Sequence, residues 1–190
     1  MTTTPSRYFD AMWSTSDDPW NHGGRWYEQR KYDLTVAVLP AARYRIALEP
    51  ACGVGLLTVR LAERADAVMA FDAWPRAVAV ATRRCRQFPH VSVEVGDIRS
   101  GPLPPATPAD LVVLGEVLYY FDESRCREIA TQWFDAIEPG GHLVAVHYRP
   151  SVAEHVIGGD AAHAVLRDAL GPPIVAVSDP EFLLEVFERA

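Results

Sequence analysis

Few of the features that would place this chain of 190 residues in a special class are present. There are three cysteines, Cys52, Cys85 and Cys126, and no Cys-x-x-Cys pair, which excludes a disulfide framework or a thiolate zinc site. Reduced, buried thiols are expected instead. Long apolar runs are also missing. Stretches such as Leu111–Leu114 and Leu143–Val146 fall far short of the roughly 20 residues that cross a bilayer. The segment Met1–Arg7 is polar with no apolar stretch behind it, so the expectation is no secretory signal and a cytoplasmic location. Basic residues are outnumbered, 18 Lys and Arg against 25 Asp and Glu, for a net charge of −7. Phosphate backbones are bound mainly by Lys and Arg, so this balance argues against a nucleic-acid partner and for a small, cationic ligand. The six histidines form no His-Glu-x-x-His motif, and although His155, Asp160 and His163 share a segment, no metal is expected. Internal repeats are absent. What remains, 49% hydrophobic and 23% charged, is the composition of an ordinary globular protein, and the length suits one domain over 1–190.

From Arg45 onward, short apolar runs alternate with helical stretches, the pattern of a parallel sheet flanked by helices. The fold class is therefore α/β. Expected strands are Arg45–Glu49, Ala67–Asp72, Val91–Asp97, Asp110–Glu116 and His142–His147. Expected helices are Leu56–Arg64, Pro75–Gln87 and Ser124–Ile137, the second with Ala77, Val80, Ala81 and Arg84 along one face and Pro75 at its start. Glu138-Pro139-Gly140-Gly141 turns the chain into a strand, and the Pro-rich stretch Gly101–Pro108 is a loop. After a helix over Asp160–Leu170, the β-like runs Pro172–Val177 and Phe182–Glu188 are separated only by Ser178–Glu181. That gap is too short for a crossover helix, so these two strands are antiparallel. The first 40 residues carry seven of the 19 aromatics, Tyr8, Phe9, Trp13, Trp20, Trp26, Tyr27 and Tyr32, as a lid or as the glue of an N-terminal helix.

Chemistry concentrates at three successive strand ends. The first strand runs into Glu49-Pro50-Ala51-Cys52-Gly53-Val54-Gly55-Leu56-Leu57-Thr58. Glycines there let a ligand approach the backbone, and the following helix offers N–H groups. The run reads Gly-x-Gly-x-x-Thr, so the third glycine of a dinucleotide fingerprint is missing. Asp72 follows 19 residues after Gly53, at the position that faces ribose hydroxyls in doubly wound folds. Asp97 and Ile98 end the third strand, where a carboxylate takes an adenine amino proton and an aliphatic side chain flanks the ring. Together the three ends point to one adenosine-bearing ligand.

On these residues the sequence resembles the class I S-adenosyl-L-methionine-dependent methyltransferases, with Glu49–Gly55, Asp72, Gly96-Asp97, Asp110–Phe121 and Glu138–Leu143 as the matching segments. The resemblance covers almost the whole chain. It implies a Rossmann-like, seven-stranded, mostly parallel sheet with an antiparallel last strand, helices on both faces, and an N-terminal helical lid over 1–40 ahead of a core over 44–190. Asp18-Pro19-Trp20-Asn21, Trp26–Tyr32 and Glu116–Phe121 look more narrowly like the nodulation protein S branch. That branch implies N-methylation of an amino sugar, the free glucosamine amine of a chitin oligosaccharide, within specialised metabolism. The family's turn has glycine where this chain has Ala51, which a negative φ would accommodate, and the branch has serine where it has Gly115.

By this resemblance Glu49, Ala51, Gly53 and Gly55 shape the wall beside the methionine part, while Asp72 and Ala73 hold the ribose. Asp97 and Ile98 hold the adenine, Gly115, Glu116 and Val117 follow the fourth strand, and Trp20 and Tyr27 close over the cofactor. S-adenosyl-L-homocysteine would be the product. An amine must be neutral when it attacks, so a group has to take its proton. Glu116 is the first candidate and His147 the second, because imidazole titrates near neutrality. Tyr119 and Tyr120 are candidates to line the acceptor site, one of them pointing into the core. An O-methyltransferase with His147 as base, a non-catalytic cofactor-binding domain and a nicotinamide oxidoreductase remain alternatives, the last opposed by the missing glycine and the terminal hairpin. The partner is a small-molecule acceptor, and the protein a monomer or homodimer.

Overall fold

Runs of Val, Leu, Ile and Ala become strands here wherever a helix-length stretch returns the chain to the same sheet edge. In a computed structural model that describes residues 3–101 and 108–190, seven strands follow the order β3-β2-β1-β4-β5-β7-β6. The residues group into two compact units, Pro5–Ser100 and Met1–Thr4 with Gly101–Ala190. Most of the loop expected over Gly101–Pro108 lies outside the described residues, at 102–107.

In the unit Pro5–Ser100, α1 (Ser6–Thr15) and α2 (Trp26–Ala37) precede β1 (Tyr44–Pro50), α3 (Leu56–Ala62), β2 (Ala65–Asp72), α4 (Pro75–Cys85) and β3 (Val91–Val95). β1 pairs parallel with β2 and β2 with β3, in a register that sets Glu49 beside Ala70 and Asp72 beside Val95. The carboxyl ends of the three strands are thereby level. Pro75 opens α4, where its missing N–H leaves no bond unmade. The buried face of α4 is Ala77, Val80, Ala81 and Cys85, not the expected Arg84, because the burial steps to the next i+4 position. Arg84 instead reaches back to donate to the Val54 carbonyl, and Arg83 pairs with Asp17. The basic run Arg83-Arg84-Cys85-Arg86 on α4 is thus tied down at two of its three arginines. Trp13 of α1 is buried with Val54, Ala77 and Val80, and Phe9, Trp20, Leu56 and Trp74 pack around them. Three of the seven N-terminal aromatics, Phe9, Trp13 and Trp20, thus pack the N-terminal segment against α3 and α4.

The other unit holds β4 (Ala109–Gly115), α5 (Glu123–Asp135), β5 (Ile137–Tyr148), α6 (Gly159–Leu170), β6 (Val175–Ser178) and β7 (Phe182–Glu188). Leu111–Leu114 are wholly buried on both faces, as an interior parallel strand requires. Asp122 caps α5 by accepting from Arg125 N at 2.9 Å. The i, i+3, i+4, i+7 face of α5 that begins at Cys126 buries Ile129, Ala130 and Trp133. β5 begins at Ile137, so the Glu138–Gly141 turn is absorbed into the strand, with Gly140 at φ +82° and its N–H on Arg189 O. β7 runs antiparallel to β6, as the short gap demands, and also to β5. β6 starts at Val175 rather than Pro172, since proline donates no ladder hydrogen bond.

Candidate active site

The turn after β1 is built by backbone dihedrals. Ala51, Gly53 and Gly55 all have positive φ, at 61°, 54° and 75°. Ala51 does not adopt the negative φ that would accommodate its methyl: it sits in the left-handed region, which strains an L-residue. The two glycines differ. A Cβ on Gly53 would meet nothing within 4 Å, whereas one on Gly55 would lie 2.9 Å from the Ala81 Cβ. Gly55 is thus required by close helix packing, and Gly53 leaves an open stretch of backbone. Asp72 stabilises the turn from the end of β2, accepting from Gly53 N at 2.9 Å and Trp74 N at 3.0 Å. Burial pushes its carboxyl up to about 6, against these backbone hydrogen bonds and one from Ala73.

Glu49, the last acid before the turn, is fully enclosed, and burial raises its carboxyl to about 8, with the Thr58 hydroxyl moderating and Asp72 adding to the rise. Its Oε2 and the Thr58 Oγ1 have no geometrically sound hydrogen bond among the described residues. A buried carboxyl oxygen without a hydrogen-bond partner, near an open glycine backbone, fits a ligand carrying an amino group, whose charge would favour ionisation of the acid. At the end of β3, Asp97 accepts from Arg99 N at 2.9 Å and forms an ion pair with the Arg99 guanidinium, while Ile98 is buried. Gly96 N donates to Asp72 O at 3.0 Å, which ties this strand end to the preceding one.

The two N-terminal candidates are held differently from each other. Trp20 lies edge-on to Trp13 at 5.5 Å and stacks on His22 at 5.7 Å. Tyr27 is buried on α2, where the ammonium of Lys31 sits 4.8 Å from its ring and 2.7 Å from the Glu28 carboxylate. That lysine, wholly enclosed and paired, makes the Trp26–Tyr32 motif a folding element as well as a candidate lid.

In the unit that holds β4, the strand ends at Gly115 and the next residue, Glu116, adopts φ 54°. A non-glycine residue persists in that region only where its surroundings over-determine it. They do so here: Glu116 N donates to Val146 O at 2.9 Å, and Glu116 Oε2 accepts from the Tyr119 hydroxyl at 2.6 Å and from Tyr148 N at 3.0 Å. Val117 is buried, and Leu118–Tyr120 form a 3₁₀ turn in which Tyr119 is 4% exposed and Tyr120 half-buried. One tyrosine of the pair points inward, as expected.

The second candidate base, His147, has both ring nitrogens in hydrogen bonds. It is wholly buried in β5, and its Nε2 accepts from Leu118 N at 3.2 Å. A neutral imidazole has one acceptor nitrogen, so Nδ1 carries the proton and donates to His163 Nε2 at 3.2 Å. His163 Nδ1 then donates to Glu185 Oε2 at 2.7 Å, and Arg167 donates to Glu185 Oε1 at 2.6 Å. Burial pushes Glu185 up, but His163 and Arg167 outweigh it and hold the carboxyl below its usual range. The directional chain fixes both tautomers and clamps the turn after Glu116 from behind. His155, Asp160 and His163 do not gather: His163 belongs to this chain, Asp160 pairs with Arg149 at 2.7 Å, and His155 stacks on Tyr119.

Nothing local in the sequence marks the stacking of His155 on Tyr119. Their rings lie 3.7 Å apart between centroids, with planes at 15°. The pair forms only when the chain after β5 returns to the 3₁₀ turn.

Seven strands with a reversed last strand, a glycine turn after the first and carboxylates at three strand ends define a methyltransferase sheet. A family model described as a methyltransferase domain matches residues 47–141, half of the chain, which belongs to that family and is an S-adenosyl-L-methionine-dependent methyltransferase. Among its relatives, nodulation protein S of Rhizobium tropici is 31% identical over 163 residues, covering 82% of this chain and 66% of that protein. The match to nodulation protein S of Sinorhizobium fredii is 28% over 160 residues, covering 82% and 73%. The chain thus spans about two thirds of the length of these relatives. The crystal structure of the N-methyltransferase NodS from Bradyrhizobium japonicum WM9, in complex with S-adenosyl-L-homocysteine, superposes with a TM-score of 0.83 at 26% identity, over 96% of this chain and 97% of that one. Among the described residues no helix is long and apolar enough to cross a membrane.

Proposed function

We propose that this chain transfers a methyl group from S-adenosyl-L-methionine to the nitrogen of a small-molecule amine, with an amino sugar as the first substrate class to try. The observation that carries the reading is Glu116, a strained carboxylate held by two donors at the carboxyl end of β4. Such a group attracts an ammonium and aligns the neutral amine derived from it. Likeness to the nodulation protein S relatives and to the NodS structure supports the same acceptor atom.

The bound cofactor supplies a methyl carbon already activated by a sulfonium, so this chain's residues have to bind, orient and manage charge. In this reading Glu49 takes the cofactor's amino group, Ala51, Gly53 and Gly55 shape the turn against it, Asp72 and Ala73 hold the ribose, and Asp97 and Ile98 hold the adenine. Trp20 and Tyr27 belong to the closing segment, and Gly115 and Val117 flank Glu116 beside the reacting centre. Tyr120, half-buried beside the pinned Tyr119, lines the acceptor site. Holding acceptor and methyl carbon in a near-attack geometry contributes several kcal/mol, up to about 7–11 kcal/mol in the best intramolecular cases. The acceptor is a small molecule rather than a nucleic acid, in keeping with the net charge of −7. The reading also places the protein in the cytoplasm, as a monomer or homodimer, which sedimentation velocity distinguishes.

The test is incubation of the protein and its Glu116→Ala variant with S-adenosyl-L-methionine and a panel of primary amines, amino sugars, phenols and carboxylic acids, read by mass spectrometry. The expected result is an N-methyl product from an amine and its loss in the variant. Ether or ester products would replace this reading with O-methylation. Cofactor binding without turnover on any acceptor would leave a sensor domain.

A further inference from the structure

His155 stands on the segment after β5, in a place built to hold an imidazole. Val156 N and Ile157 N both donate to Tyr119 O, at 2.9 and 3.2 Å, and clip the segment to the 3₁₀ turn. From the other side the Thr4 hydroxyl donates to Glu154 O at 2.7 Å, and Thr4 N donates to Tyr120 O at 2.8 Å. The ring lies face to face on Tyr119 and edge-on to Tyr120, whose centroid is 5.3 Å away. The hydroxyl of that same Tyr119 donates to Glu116 Oε2. Stack and hydrogen bond therefore link His155, Tyr119 and Glu116 in one rigid unit.

The three groups are committed to different degrees. Glu116 Oε2 already accepts two hydrogen bonds. His147 and His163 use both ring nitrogens in the buried chain. The half-buried ring of His155 has its place fixed by stacking, and neither of its nitrogens hydrogen-bonds another described residue. We propose that His155 is the general base of the acceptor site, taking the proton that the amine nitrogen gives up, while Glu116 fixes the amine's position. This inference rests on the N-methyl reading above and names the base within it.

The step balances as follows. The nitrogen lone pair forms the N–C bond while the C–S bond breaks, its electron pair staying on sulfur. The positive charge passes to nitrogen, and a proton then moves from that nitrogen to the imidazole, which releases it to water. If the amine arrives as ammonium, the same proton leaves before attack. Burial holds the His155 imidazole below its ordinary range, against the opposing charges of Glu116 and Glu154. Among the described residues, these two carboxylates and the Tyr119 and Tyr120 phenols are the titratable groups that face it. A base that stays neutral at pH 7 is ready to accept a proton.

The experiment uses an amine that the wild-type protein methylates, with kcat and KM measured from pH 5.5 to 9.5 for wild type, His155→Gln and His155→Phe. S-adenosyl-L-homocysteine affinity is measured by calorimetry alongside. The phenylalanine preserves the stack on Tyr119, so it keeps the test alive if glutamine disturbs the fold. Both variants are expected to lose about 10²-fold in kcat at pH 7, with homocysteine-ligand affinity within twofold of wild type. Their activity is also expected to recover toward high pH, where the free amine arrives deprotonated. Wild-type kcat and an unchanged pH profile in either folded variant would overturn the role of His155 and leave N-methylation intact. Failure of the wild type to methylate any amine would overturn both.

Discussion

Ala51 lets a single methyl group be weighed. Its φ of 61° places an L-residue where the Cβ crowds the following carbonyl, a strain of about 1–2 kcal/mol. Ala51→Gly removes that strain. Glycine also gains freedom in the unfolded chain, which opposes the gain by about 0.4–1 kcal/mol. The net expectation is a protein more stable by about 0.5–1 kcal/mol, an increase in Tm of about 1–4 °C for a chain of this size. Gly53→Ala is the converse control. It has φ 54° with nothing within 4 Å of the added Cβ, so no clash adds to the strain, and with the same unfolded-chain effect acting in its favour it is expected to destabilise by about 0.5–1 kcal/mol. Gly55→Ala adds an approach of 2.9 Å to Ala81 and is expected to lose more than Gly53→Ala. Thermal and urea unfolding, followed by circular dichroism, report all three. An Ala51→Gly variant that melts below wild type while Gly53→Ala is neutral would refute the strain argument.

Glu49 sets a pH dependence. Its carboxyl ionises near 4.5 in the unfolded chain and near 8 when buried, so the folded state holds an extra proton between those values and stability falls as pH rises through the window. Glu49→Gln is expected to melt progressively above wild type from pH 5 to pH 8, and a difference flat with pH would contradict the burial. His163→Ala leaves Glu185 Oε2 and His147 Nδ1 without their partner, an expected loss of about 2–4 kcal/mol in urea unfolding. Trp133→Ala empties the buried face of α5, with an expected loss of about 3–5 kcal/mol by the same measurement.

The strand ends were legible because their signals are local. The Glu49–Gly55 turn, Asp72 and Asp97 each announce themselves within a few residues, and alternating periodicity places them at one edge of a sheet. The terminal hairpin was legible from chain length alone, since Ser178–Glu181 cannot hold a helix. Dihedrals were not: nothing in the sequence says that Ala51 turns left-handed, because that follows from closing the turn onto Asp72. The histidine chain was equally hidden. It needs the antiparallel register that sets Glu185 opposite Ala145, two residues from His147 on the same face, and α6 to bring His163 over both. His155 looked like one member of a loose acidic and histidine segment, and its stacking partner lies 36 residues earlier in the chain.

The three cysteines carry a practical consequence. Cys52 and Cys85 belong to one compact unit and Cys126 to the other, and all three are buried. Burial raises Cys52 well above the ordinary thiol range, Cys85 to about 11 and Cys126 to about 12. Thiolate is the reactive form, so each side chain is silent toward alkylating reagents until its surroundings open. A pulse of iodoacetamide followed by peptide mapping would therefore time the breathing of the glycine turn, of α4 and of α5 separately, with the wild-type chain supplying its own three clocks.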